Sequence, residues 1–115
     1  MIVAQAPPVG LIPPNGSRIT ATVRGRKVWP PGSLAGTRPP VRPNLTLYSL
    51  TLDVATAAPT APTVENMARP GEVIEAFSFD PLAEDLVGKT ITAVVELTGT
   101  TLGTRWLISR IEPNR

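Results

Sequence analysis

Arg24, Arg26, Lys27 and Trp29 fall within six consecutive residues, and Arg38 and Arg42 follow shortly after. Cationic groups beside an aromatic ring suit single-stranded nucleic acid, because the charges follow phosphates while the ring stacks on a base. Tyr48 and Phe77 could complete a stacking platform. The chain has only five aromatic residues, however, and a small core claims several of them. Residues 1 to 64 carry six basic groups against Asp53 alone, whereas residues 65 to 115 hold five basic and eight acidic ones. A positive half of this kind can meet phosphate or an acidic protein surface, but a plain solvated face accounts for the same charges.

Other reactive groupings fail on type or spacing. The chain has no cysteine and no histidine, which removes disulfides, thiolate or imidazole metal sites, histidine triads and cysteine nucleophiles. Gly88-Lys89-Thr90 copies the end of a phosphate-binding loop, but that motif needs glycine where Ala83 stands, and a helix afterwards. Asp80, Glu84 and Asp85 could face a hard cation, yet a helix start explains all three. Glu72 and Glu75 differ in strand parity and point to opposite faces, which is wrong for an acid and base pair. No catalytic, metal or cofactor set is left, so the sequence predicts a non-enzymatic protein without a cofactor.

Proline decides where the strands cannot be, since it supplies no ladder donor. Fourteen prolines and nine glycines stand among 115 residues, above average usage but short of wholesale disorder. Four proline-free windows remain, 15 to 29, 44 to 58, 71 to 80 and 82 to 112. In the first, Ile19, Ala21 and Val23 alternate with polar residues, and Gly25 then marks a bulge or bend that turns Arg26, Lys27 and Trp29 toward a rim. In the second, Tyr48, Leu50, Leu52 and Val54 share one parity while Leu45 and Leu47 share the other, which predicts a bulge or a change of sheet. The third has strand propensity but no clear inward face.

The last window divides into three. Asp80 before Pro81 reads as a helix start and Gly88 as its end, so a short helix is predicted over 81 to 87, with Leu82 and Leu86 on one face. Ile91, Ala93, Val95 and Leu97 then alternate as a strand whose inward residues should meet Ile19, Val23, Leu50 and Leu52. Thr98 to Gly103 reads as a hairpin loop, with Gly99 and Gly103 free to take positive φ, and Arg105 to Glu112 as the final strand.

This order of strands, with the glycine inside the first, the Asp80-Pro81 to Gly88 element, and the pair Lys89 to Val95 and Arg105 to Ile111, resembles the OB fold. That resemblance implies an all-β, five-stranded Greek-key barrel over about 17 to 112, with one short helix between strands 3 and 4. It also implies that the loops after the first and fourth strands are placed to touch ligands. An immunoglobulin-like sandwich needs two more strands.

The organisation is then an arm over residues 1 to 16 and one barrel domain over 17 to 115. The arm holds Pro7-Pro8 and Pro13-Pro14, the apolar residues Ile2, Val3, Val9, Leu11 and Ile12, and no charged side chain. Proline pairs favour extended polyproline II, and an uncharged apolar arm suits packing on another subunit better than solvation. Pro30 to Pro43 and Ala57 to Pro70 are two further irregular segments, the first a ligand or partner loop, the second a stiff linker or surface strap. The start of the chain does not read as a secretory signal and no apolar run is long enough to span a bilayer, which predicts a soluble, cytoplasmic protein.

These features predict a structural or assembly module that contacts other protein subunits, as a homo- or hetero-oligomer, through its arm and loops. In style it resembles the small armed barrels of virion parts such as capsid cement, connector and tail or baseplate proteins, which would place it in a virion. The alternative is a single-stranded nucleic-acid binder using the basic rim.

Overall fold

The computed structural model describes residues 12–114. It contains strands β1 (Ser17–Trp29), β2 (Leu47–Pro59), β3 (Val73–Ser78), β4 (Thr90–Thr100) and β5 (Gly103–Pro113). They close into a barrel in the order β1-β2-β3-β5-β4. Neighbours are antiparallel except β3 with β5, whose short parallel contact pairs Ala76 with Trp106 and Phe77 with Leu107. This is the OB-like barrel that the order of elements predicts. Among the described residues, no helix is long and apolar enough to cross a membrane.

The period-2 positions fill the interior. Ile19, Ala21 and Val23 of β1 meet Leu50, Leu52 and Val54 of β2, Ile74 and Ala76 of β3, and Ile91, Ala93 and Val95 of β4. Leu97 departs from the predicted pattern and is only half-buried, at the end of the barrel. The bulge predicted at Gly25 forms as well, since Val23 pairs with Leu52 and Gly25 with Thr51, leaving Arg24 as the extra residue. Directly opposed residues share a face of the sheet. After the bulge, therefore, Arg26 lies inward with Leu50, while Lys27 and Trp29 lie outward with Ser49 and Leu47.

The mixed parity of β2 has a different cause from the predicted slip. A bulge does occur in β2, but at Ala55, between the pairs Thr20 with Thr56 and Ala21 with Val54. Leu47 and Ser49 are buried because residues 30 to 46 fold back over the outer face. Both faces of this part of the sheet are covered. The same cover explains the unclear face of β3, where Ile74 and Ala76 point into the barrel and Phe77 points out under residues 30 to 46.

The helix predicted over 81 to 87 is reduced to a single 3-10 turn, Glu84–Leu86. Ala83, not Asp80, occupies the cap position, and no side chain caps it. A segment this short cannot repay helix nucleation, so tertiary contacts decide its path. Leu82 and Leu86 are both buried as plugs for one end of the barrel, and the Leu82 carbonyl is taken by the Arg26 guanidinium at 2.7 Å. Gly88 does end the segment, at φ +87°.

The β4–β5 hairpin is tighter than predicted, with only Thr101 and Leu102 between the paired Thr100 and Gly103. Gly99 takes the predicted positive φ, +115°. Gly103 does not, and its lack of a side chain serves a close approach, since a Cβ there would stand 2.8 Å from the Arg38 carbonyl oxygen.

The described part of the arm is tied down. The Asn15 side-chain amide donates to the Leu97 carbonyl at 2.8 Å and its oxygen accepts from the Leu97 N–H at 2.7 Å. Gly16 and Pro14 bond the backbone of Glu65, and Gly16 also bonds Thr60. The segment after β2 is a strap, with Ala68 buried in the barrel core and Ser17 Oγ donating to Asn66 Oδ1 at 2.6 Å. Residues 1 to 11, including Ile2, Val3, Val9 and Leu11, lie outside the described residues, and Ile12 is half-buried.

Val95 is fully enclosed. Val95→Asp places an unpaired carboxylate there and is expected to cost more than about 4 kcal/mol, leaving no cooperative thermal transition by circular dichroism.

Candidate binding groove beside a proline-rich strap

The strap over residues 30 to 46 is a string of turns. Ser33 N–H donates to the Pro30 carbonyl, Ala35 to Gly32 and Thr37 to Leu34, with Gly32 and Gly36 at φ +82° and +78°. Its five prolines have no N–H to satisfy, so the strap can lie on the barrel without a ladder. Apolar side chains spaced among them supply the adhesion. Leu34 joins Leu47 and Phe77 in a second core, against which Trp29, Val41, Leu45 and Leu107 pack.

Arg105 is the polar fastener. One guanidinium nitrogen donates to the Pro39 carbonyl at 2.7 Å and the other to Thr37 Oγ1 at 2.9 Å, while the group stands 5.2 Å from the Phe77 ring centre. Burial lowers its pKa and the nearby Glu75 carboxylate pulls it back up. An arginine stays charged through such a shift. Beneath the strap Trp29 Nε1 donates to Ser49 Oγ at 2.9 Å, and that hydroxyl donates to Glu75 Oε2 at 2.9 Å. Among the described residues no buried side-chain nitrogen or oxygen lacks a partner.

Where the strap crosses β5 it leaves a groove of about 420 Å³, walled by Pro39, Pro40, Val41 and Leu45 on the strap side. Phe79, Leu107, Thr98 and Arg105 form the opposite side, with Arg42 at the edge. A second depression of about 250 Å³ shares Phe79 and Leu107 and runs on past Ser109. Phe79 is 57% exposed, a large apolar ring standing between the two hollows.

The predicted basic rim is spread over several environments. Arg24 closes on Asp53 at 2.7 Å. Arg26 turns inward to the Leu82 carbonyl and stands 5.7 Å from the Tyr48 ring centre. The Lys27 ammonium sits 3.9 Å from the Trp29 ring centre, and Trp29 itself is half-buried against Phe77 at 5.8 Å. Arg38 and Arg42 are exposed on the strap. Phe77 is only 7% exposed, so it offers no free ring face for the predicted platform. Of the predicted acidic groups, Glu84 lies 3.9 Å from Arg26 and Asp85 3.3 Å from Lys89, and no set of three metal-ligating side chains gathers among the described residues.

Sequence reasoning missed Arg105, Asn15 and Phe79. The off-phase Leu45, Leu47 and Phe77, together with Leu34 and Val41 between prolines, were the signal of a second apolar layer. The arrangement can hold an apolar, extended guest against Phe79 and the strap prolines, and its polar residues hold the strap in place.

Arg105→Ala removes the fastener and is expected to lower stability by about 3 kcal/mol or more, because both bonds come from a charged donor and each is worth about 1.5 to 3 kcal/mol. Thermolysin cleavage within residues 34 to 45 should accelerate sharply, and Arg105→Lys, which keeps the charge but loses the fork, should recover only part of the protection. Gly103→Val should expose the same sites by pushing on the Arg38 backbone. Unchanged cleavage in these variants would show that the strap is held by its apolar contacts alone.

Compared with known proteins, the chain matches no family model, no curated protein and no solved structure.

Proposed function

We propose that the protein is a non-enzymatic assembly module, a small barrel that joins other protein subunits through its proline-rich arm and loops. Parts of this style serve as cement, connector, tail or baseplate components of virions, and a virion is the setting proposed for this chain. The observation that carries the reading is the groove beside the strap, with exposed Phe79 on one side and ordered prolines on the other. A site built to be filled by an apolar partner has this form, since an exposed apolar hollow is costly until covered. The uncharged arm supports the same reading, because proline lowers the entropy lost when an extended segment docks.

Single-stranded nucleic acid is the rival partner. With Arg24 held by Asp53 and Arg26 turned inward, Lys27, Arg38 and Arg42 are the rim groups left to meet phosphate.

Deleting residues 1 to 11, which spares the bonded Asn15 and Gly16, should leave the melting temperature within a few degrees of the parent. The particle mass by light scattering should fall toward that of one truncated chain, below the 12.2 kDa of the full-length chain. Unaltered assembly after the deletion would overturn the arm's role. Oligonucleotide binding at physiological salt that is lost on mutating Lys27, Arg38 and Arg42 would instead favour the rival, since phosphate contacts weaken steeply with salt.

A further inference from the structure

The register of β1 on β4 fixes where the arm leaves the barrel. Ser17 pairs with Val95, and Asn15, two residues upstream, holds the backbone of Leu97, two residues downstream. Pro14 and Gly16 meanwhile bond the backbone of Glu65, so the described start of the chain runs between β4 and the segment after β2. Residues 1 to 11 span up to roughly 34 Å at the polyproline II rise of about 3.1 Å per residue, enough to reach well onto a neighbouring molecule.

We infer that the groove between the strap and Phe79 is the receptor for this arm from a second copy of the chain, with the Pro7-Pro8 segment and its apolar flanks as the guest. The inference rests on the assembly reading and names the surface that reading leaves open. Extended proline-rich segments dock in grooves that offer an aromatic ring and flat apolar walls, because their backbone needs no ladder and their shape is already set. Phe79 and Leu107 supply such a floor, and Pro39 and Pro40 the wall. A polyproline II backbone leaves its carbonyls without internal partners. The exposed Arg42 side chain, which has no hydrogen bond or ion pair among the described residues, is placed to donate to them. Arg105 is already committed to the strap, so the groove presents little free charge, in keeping with an arm that carries none.

The chain has no cysteine, so a thiol pair can report the contact directly. Full-length Val9→Cys chains are mixed with full-length, mass-tagged Pro40→Cys chains and mildly oxidised, with a Val9→Cys and Thr56→Cys mixture as the control for random encounter. Thr56 is exposed on β2, outside the groove. The inference expects the mixed disulfide at five-fold or more above the control. It also expects Phe79→Asp, in the full chain, to reduce the particle mass as far as arm deletion does, with an unchanged melt. A yield no greater than the control, while arm deletion still breaks the assembly, overturns the groove as receptor and leaves the assembly reading standing. A Val9→Cys, Pro40→Cys double variant that closes only within one chain overturns the second copy as the source of the arm. A parent chain that is monomeric with its arm intact overturns both the inference and the reading beneath it.

Discussion

The strap lies on the barrel because its apolar side chains join a second core there, one arginine reaches it from β5 and one glycine makes room for it. Arg105 holds Pro39 and Thr37, and two residues earlier Gly103 lets the Arg38 backbone come down onto the strand. Everything on the outer face follows from that fastening. With the strap down, Leu34, Val41 and Leu45 gain a surface to cover, Leu47 and Phe77 become core residues, and the bonds from Trp29 through Ser49 to Glu75 close beneath them. The groove exists only as the gap between the fastened strap and Phe79.

This two-layer burial also explains what could be read from the sequence. A strand with one covered face reveals itself by alternation, which is why β1 and β4 and their inward residues were legible, as was the bulge beside Gly25. A strand covered on both faces loses that alternation, so β2 looked like a phase slip and β3 had no clear side. The missing information lay in another segment, since whether Leu47 is buried depends on where residues 30 to 46 go. The helix was misread for a similar reason. Asp80, Pro81 and Gly88 are sound local signals, but Leu82 and Leu86 are both needed as plugs and Arg26 takes the Leu82 carbonyl, so tertiary demand overrides local preference. The candidate groove was legible only as a proline-rich loop of unusual length. Arg105 carries no local mark of its role, because its partners stand 66 and 68 residues away.

The strap further changes what an OB-like barrel can accept. Barrels of this kind take extended ligands on the face of strands 2 and 3, with the loops after strands 1 and 4 closing over them. Here the loop after β1 already lies on that face, so a ligand seeking it must first lift the strap. Lifting exposes Leu34 and parts of Val41 and Leu45, at about 1.5 to 3 kcal/mol for each side chain that was fully buried. It also breaks two bonds from a charged donor, each worth about 1.5 to 3 kcal/mol. Stacking returns about 1 to 3 kcal/mol per base, so several bases would have to stack merely to offset the displacement. A guest that leaves the strap in place and fills the hollow beside it incurs none of that cost. On these magnitudes the groove, with its wall already built and Phe79 already turned outward, can be filled without displacing the strap, whereas the face of strands 2 and 3 cannot.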